Sequence, residues 1–150
     1  MSTAQNKLIS HRIAEEIFNQ GNLNMVDELL AADAVDHNEP EGTDCRTHFK
    51  QVATMLRSAA PDLHMHVEDL VAEEDRVAVR ITISGTHSGP GALFGVPPTG
   101  KHFQIQQMRF ARIVDGQMKD SWAVIDMLTW MQQLGAIPAR GRGEALLRGQ

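Results

Sequence analysis

Residues Thr86–Gly135, THSGPGALFGVPPTGKHFQIQQMRFARIVDGQMKDSWAVIDMLTWMQQLG, decide how the chain folds. The stretch reads as the end of a strand, a long loop rich in glycine and proline, a strand, a tight turn, a strand and a short helix. Asp115-Gly116 is the strongest hairpin signal in the sequence, because both residues accept the left-handed backbone of a two-residue turn. The strand from His102 to Val114 is mixed on both faces, the pattern of a strand covered on each side. Met118 to Ile125 returns beside it, and Asp126 to Leu134 reads as a helix stopped at Gly135. Thirteen residues between Ser88 and Gly100 is long for a strand connection, and such loops often form lids or mouths. Leu93 and Phe94 are its apolar tip.

Upstream of Thr86 the period is two. Leu63, Met65, Val67 and Val71 alternate with His64, His66 and Glu68, and Val77, Val79, Ile81 and Ile83 alternate with smaller or polar residues. Glu74-Asp75 turns between them, so the two runs predict an antiparallel hairpin. Upstream of Pro61 the period is that of a helix. Leu8, Ile9, Ile13 and Ile17 predict one over residues 5–18, and Met25, Val26, Leu29 and Leu30 predict a second. Phe49, Val52, Ala53 and Leu56 predict a third. The polar segment DHNEPEGTD, Asp36 to Asp44, reads as loop. Helices first and strands after them predict an α+β domain over residues 1–137, with a loose tail from Pro138 to Gln150.

Composition narrows the function. A chain of 150 residues can bury one sizeable core, and 42% hydrophobic residues is ordinary for a soluble domain. A formal net charge of −5 argues against a nucleic-acid partner, which selects for basic faces. No apolar run is long enough for a membrane span, and the N-terminus lacks a secretory pattern, so the expectation is a cytoplasmic protein without a membrane partner. The single cysteine, Cys45, excludes an internal disulfide. Tyrosine is absent, so no phenolic hydroxyl is present to hold an enolate.

The motifs carry chemistry unevenly. Gly95 to Lys101 imitates a phosphate-binding loop, but His102 stands where a hydroxyl is needed and Pro97 and Pro98 offer no N–H, so nucleotide binding is excluded. His64-x-His66 places two imidazoles on one strand face without a third ligand, and no metal is expected. Gln107 and Arg109 share a face with Phe103, Ile105, Ala111 and Ile113. Polar groups on an apolar face need partners: a ligand carbonyl, or for Arg109 a carboxylate such as Asp120 or Glu68. Asp126 shares a strand face with Met118, Trp122 and Val124 if the strand runs that far, which would make it a desolvated general base. It equally precedes a helix with Thr129 three residues on, the position of an N-cap. His37, beside Asp36 and Asn38, is a candidate proton carrier at the mouth of a pocket or an exposed loop histidine.

GTHSGP, LFGVPPTGK, RIVDGQMKDSW, the following aspartate and QLG, taken in this order with VDHN upstream, resemble the SnoaL-like polyketide (ester) cyclase family across nearly the whole chain. The resemblance implies a cone-shaped fold like that of nuclear transport factor two and ketosteroid isomerase: a curved antiparallel sheet, a barrel over the N-terminal helices, around an apolar pocket. It implies ring closure of a hydrophobic carbonyl substrate by intramolecular aldol chemistry, without metal or organic cofactor. Along the motif the family's base aspartate falls on Ala123, its assisting histidine on Arg109 and its glutamine on Gln107. Asp126 matches an aspartate that opens the last helix. The catalytic candidates are therefore Asp126, His37 and Arg109, and the substrate-binding candidates Gln107, Trp122, Ala123 and Phe94. If Gln107 and Arg109 line the pocket, Ala123 does too and Trp122 faces a partner subunit instead. Two functions follow from these residues: a cofactor-free enzyme, or a small-molecule-binding member of the fold without the base. Epoxide hydrolysis would need an Arg–Asp pair two residues apart, and Ala111 follows Arg109 at that distance. Apolar residues on both faces of the strands from His102 to Ile125 predict a homodimer or higher homo-oligomer.

Overall fold

The period change at Pro61 is where helix gives way to sheet in the computed structural model, which describes residues 2–138. The expected tail, apart from Pro138, lies outside the described residues. Helix α1 (Thr3–Arg12) opens on a capping box: Ser2 accepts from the Gln5 N–H, and the Gln5 side chain accepts from the Ser2 N–H at 2.8 Å. It runs on into wider turns over Ile13–Asn19. Ile9, Ile13, Ile17 and Phe18 are buried there, but Leu8 is 58% exposed, so the predicted stripe is narrower by one residue. Asn19 then clips the helix end to the sheet, bonding both the N–H and the carbonyl of Met65. Helix α2 (Asn24–Leu29) follows. Helix α3 (Cys45–Ala59) is capped by Asp44 and buries Cys45, Phe49, Ala53 and Leu56 along one face.

Five strands form one sheet in the order β1-β5-β4-β3-β2: β1 (Leu30–Asp36), β2 (His64–Glu73), β3 (Arg76–Thr86), β4 (His102–Val114) and β5 (Gln117–Ile125). The short helix α4 (Met127–Gln133) ends the described fold. Four strands are antiparallel neighbours in chain order. The exception is β1, an edge strand that the sequence had suggested would begin as helix at Leu30; it pairs parallel to β5. The sheet is curved but open, with β1 and β2 as its edges, so the expected barrel does not close.

Two irregularities decide which side chains face the helices. A bulge between Val67 and Asp69 shifts β2 by one residue, and each such shift exchanges the two faces. Leu70 and Ala72 therefore pack inward, whereas Val71, expected inside, is 62% exposed. A second bulge, between Arg112 and Ile113, does the same to β5. Met118 is buried while Trp122 and Val124 point outward, so the single face expected for Met118, Trp122 and Val124 does not exist.

The loop from His87 to Lys101 is held at its base by two backbone bonds, His87 N–H to the Lys101 carbonyl and Gly100 N–H to the His87 carbonyl, each 2.8 Å. The buried His87 ring bridges its interior, donating from Nε2 to the Gly91 carbonyl at 3.0 Å and facing Thr99 Oγ1 from Nδ1 at 3.3 Å. Gly89 lies against the end of α3, its N–H 2.9 Å from the Ala59 carbonyl. A Cβ there would fall 2.0 Å from the Ser58 carbonyl oxygen, so only glycine allows this approach.

Candidate functional site

Helices on one side and the concave sheet on the other leave a cavity of about 390 Å³. Most of its wall is apolar: Ile13, Ala14 and Phe18 from the first helix, Phe49, Val52 and Leu56 from α3, and Val79, Ile81, Ala111 and Ile125 from the sheet. Trp130 of α4 contributes too, as does Phe94, set at a backbone φ of +50° and packed edge-on against the Trp130 ring at 4.8 Å. A volume and a wall of this kind suit a small, largely apolar molecule.

Into this wall β4 inserts Gln107 and Arg109, as its alternation predicts. Gln107 is 4% exposed, and its side-chain amide makes no hydrogen bond to another described residue. Arg109 donates from Nη1 to Ser121 Oγ, and its guanidinium lies over the Phe49 ring at 5.3 Å. Neither Asp120 nor Glu68 pairs with it: Asp120 binds Arg112 and His37, and Glu68 accepts from Thr82. Burial pushes the Arg109 guanidinium below its ordinary pKa, and the negative charge of Asp36, followed by Cys45, pulls it partly back. Arginine keeps its proton in proteins even so, which makes Arg109 a fixed cation in the cavity wall.

Ala123, paired with Arg109 across β4 and β5, lines the cavity as the shared face requires. Its backbone is gripped by the Asn38 side chain, whose Nδ2 donates to the Ala123 carbonyl at 2.6 Å and whose Oδ1 accepts the Ala123 N–H at 2.7 Å. Asn38 thereby extends the pairing of β1 with β5 by one rung beyond the His37 N–H bond to Ser121.

The other sequence candidates lie elsewhere. His37 and Trp122 stack on the outer face, ring centroids 4.5 Å apart and 8° from parallel, with His37 Nε2 2.8 Å from Asp120 Oδ1. Arg76 lies over the same Trp122 ring. Neither His37 nor Trp122 is among the residues lining the cavity. Asp126 caps α4: Oδ1 accepts the Thr129 N–H at 3.1 Å, and Oδ2 accepts Thr129 Oγ1–H at 2.7 Å. It is not among the lining residues either.

What sequence reasoning missed is the charged group that does line the cavity. Asp36 at the end of β1, Glu39 just beyond it and His48 on α3 converge there with Arg109. The Asp36 side chain is 9% exposed, and its Oδ1 accepts the Asn38 N–H at 3.0 Å. His48 Nε2 lies 2.8 Å from Glu39 Oε1 and 3.9 Å from Asp36 Oδ2. Ligand atoms of the three fall within 4.8 Å of one another, a spacing that a divalent cation also accepts. Asp36 to Glu39 sit in a segment whose polarity reads as solvated loop. His48 was detectable: with Cys45 and Val52 it sits at i−3 and i+4, on the flank of the apolar stripe. His64 and His66, by contrast, are exposed on the outer side of β2. Cys45, buried beside this group, has its thiol pushed up to about 11, first by burial and then by the field of Asp36, which makes it inert at neutral pH.

No helix among the described residues is long and apolar enough to cross a membrane. The sequence pattern of the SnoaL-like polyketide cyclase family matches residues 9–134. The chain is 33% identical over 111 residues to aklanonic acid methyl ester cyclase DnrD of Streptomyces peucetius, covering 72% of each chain. Among solved structures it superposes on wild-type IdmH from Streptomyces antibioticus with a TM-score of 0.69 and 36% identity, covering 85% of this chain and 98% of that one. It superposes on TsrD from Streptomyces laurentii with a TM-score of 0.82 and 24% identity, covering 91% and 99%, a likeness of fold.

Proposed function

The chain belongs to the SnoaL-like polyketide cyclase family, and from that premise we propose that it closes a ring in a polyketide ester by intramolecular aldol addition, without a cofactor. The observation that carries this reading is Gln107 beside Arg109 in an apolar cavity: a buried amide with no described protein partner next to a fixed cation. An enolate oxygen supplies an acceptor for the Gln107 amide and a counter-charge for the Arg109 guanidinium, and donors aimed at developing negative charge in a desolvated site contribute strongly to catalysis. Phe49, Phe94 and Trp130 offer flat apolar surface for the rest of a ring-bearing substrate.

A second reading, binding without turnover, is favoured by Ala123, which presents only a methyl group where the family resemblance puts a carboxylate. Incubation with aklanonic acid methyl ester separates the two. Cyclisation gives a product of unchanged mass with an altered retention time and absorption spectrum. Saturable binding with no such product selects the second reading, and neither binding nor product overturns both. In the enzyme, Gln107→Ala and Arg109→Gln are each expected to lower kcat by about 10²–10³-fold, the range for loss of one donor to an oxyanion.

A further inference from the structure

Resting on the cyclase reading, we propose that the proton acceptor is Asp36, delivered to the cavity from the parallel edge strand, with His48 and Glu39 as its supporting pair. Among the described residues, Asp36 and Glu39 are the only carboxylates that line the cavity. Asp36 is the more buried, its side chain 9% exposed against 31% for Glu39. It is close enough to Arg109 for its charge to raise that guanidinium's pKa. The Gln107 side chain, buried in the same wall, offers its amide to a ligand oxygen in the cavity. An acid that close to donors for an enolate is placed to take the proton whose loss creates it.

Local structure explains how the carboxylate is held. Asp36 is the last residue of β1 and His37 the first of the turn after it, and their side chains take opposite faces: His37 goes out to Trp122 and Asp36 goes in. The Asn38 N–H bonds Asp36 Oδ1, and the Asn38 amide is itself fastened to Ala123. Asn38 is therefore a positioning residue. His48 Nε2 stands 3.9 Å from Asp36 Oδ2 and 2.8 Å from Glu39 Oε1, so the imidazole lies between the two carboxylates.

The reaction balances on these groups. A carbon–hydrogen bond next to the substrate's ester carbonyl breaks and an O–H bond forms on Asp36, while the electron pair moves onto the carbonyl oxygen facing Gln107 and Arg109. The enolate carbon attacks a ketone in the same molecule. A carbon–carbon bond forms, and the ketone's π pair becomes an alkoxide. Asp36 returns its proton to that alkoxide and is again a carboxylate. Substrate and product are isomers, so no co-reactant is needed.

The test follows aklanonic acid methyl ester in D₂O by mass spectrometry, reading deuterium uptake next to the ester above the buffer background and ring closure in parallel. Wild type is expected to catalyse both. Asp36→Asn should lose both by about 10²–10⁴-fold, the usual cost of removing a general base, with substrate affinity within a few-fold of wild type. Asp36→Glu, which keeps a displaced carboxylate, should recover part of the rate and serves if the asparagine variant fails to fold. Asn38→Ala should lower kcat at little changed KM. His48→Gln should do the same. Undiminished exchange in folded Asp36→Asn or Asp36→Glu overturns the assignment and leaves the cyclase reading standing. So does loss of exchange in Asp126→Asn with Asp36→Asn unaffected. A wild-type protein that neither exchanges nor cyclises the ester refutes the cyclase reading itself, and the assignment with it.

Discussion

At Asp126 two chemistries compete for one carboxylate. A desolvated base would have its charged form disfavoured, whereas an N-cap stabilises the charge on backbone N–H groups. Bonds from the Thr129 N–H and hydroxyl identify the cap. Asp126→Asn is therefore expected to keep both stability and turnover, because asparagine caps about as well as aspartate. Asp126→Ala should cost about 0.5–2 kcal/mol, read as a lower denaturant midpoint at constant slope. Asp120 makes a different forecast. Burial would raise its pKa, but hydrogen bonds from His37 and Arg112 outweigh that and hold the carboxyl below its ordinary value. A group depressed in the folded state stabilises above its unfolded pKa, about 3.9, and loses that contribution as pH falls through the lower folded value. Thermal melts from pH 6 down to pH 2.5 should show Asp120→Asn losing less stability than wild type on acidification.

Among the elements, the antiparallel hairpins were legible and the parallel strand was not. Asp115-Gly116 and the alternation of Val77 to Ile83 each fix a local structure without help from distant residues. The run LAADAVD at Leu30–Asp36 carries no such signal, because alanine favours helix and the strand exists only through β5, far along the chain. Bulges escape for a related reason: the pattern at Val67 to Val71 continues past the residue where the backbone slips. The same gap hid the charged group of the cavity. Asp36 and Glu39 look like solvated loop until β1 is known to be a strand, whereas Gln107 and Arg109 were readable on β4 as polar residues on an apolar face. The loop at His87–Lys101 makes its own prediction through Gly89. A methyl group there meets the Ser58 carbonyl at 2.0 Å, so the loop or the end of α3 must move. Gly89→Ala should destabilise by about 1–3 kcal/mol, the usual cost of overpacking, in chemical denaturation.

On the scale of the whole molecule, the outer face of the sheet is unfinished. Phe110 stands opposite Trp122 and Met108 opposite Val124 across β4 and β5, and all four are exposed, Val124 at 76%. An apolar patch of this kind on a sheet marks an association surface. Homodimerisation through it is the expected outcome: sedimentation at micromolar concentration should give twice the 16.6 kDa chain mass, and Phe110→Glu should shift it toward one. A sheet edge has a different consequence, one in time. Leu30 of β1 aligns with Met118 of β5, and Asp36 with Ser121, so the strand made early in synthesis finds its partner only when nearly the whole sheet has been made. A ribosome that has released residues up to Val114 holds helices and three strands but no ordered Asp36. Long-range pairing of this sort is slow to form. The cavity is thus completed last during biosynthesis, and a chain that stalls before β5 leaves Asp36 without the strand that holds it in the wall.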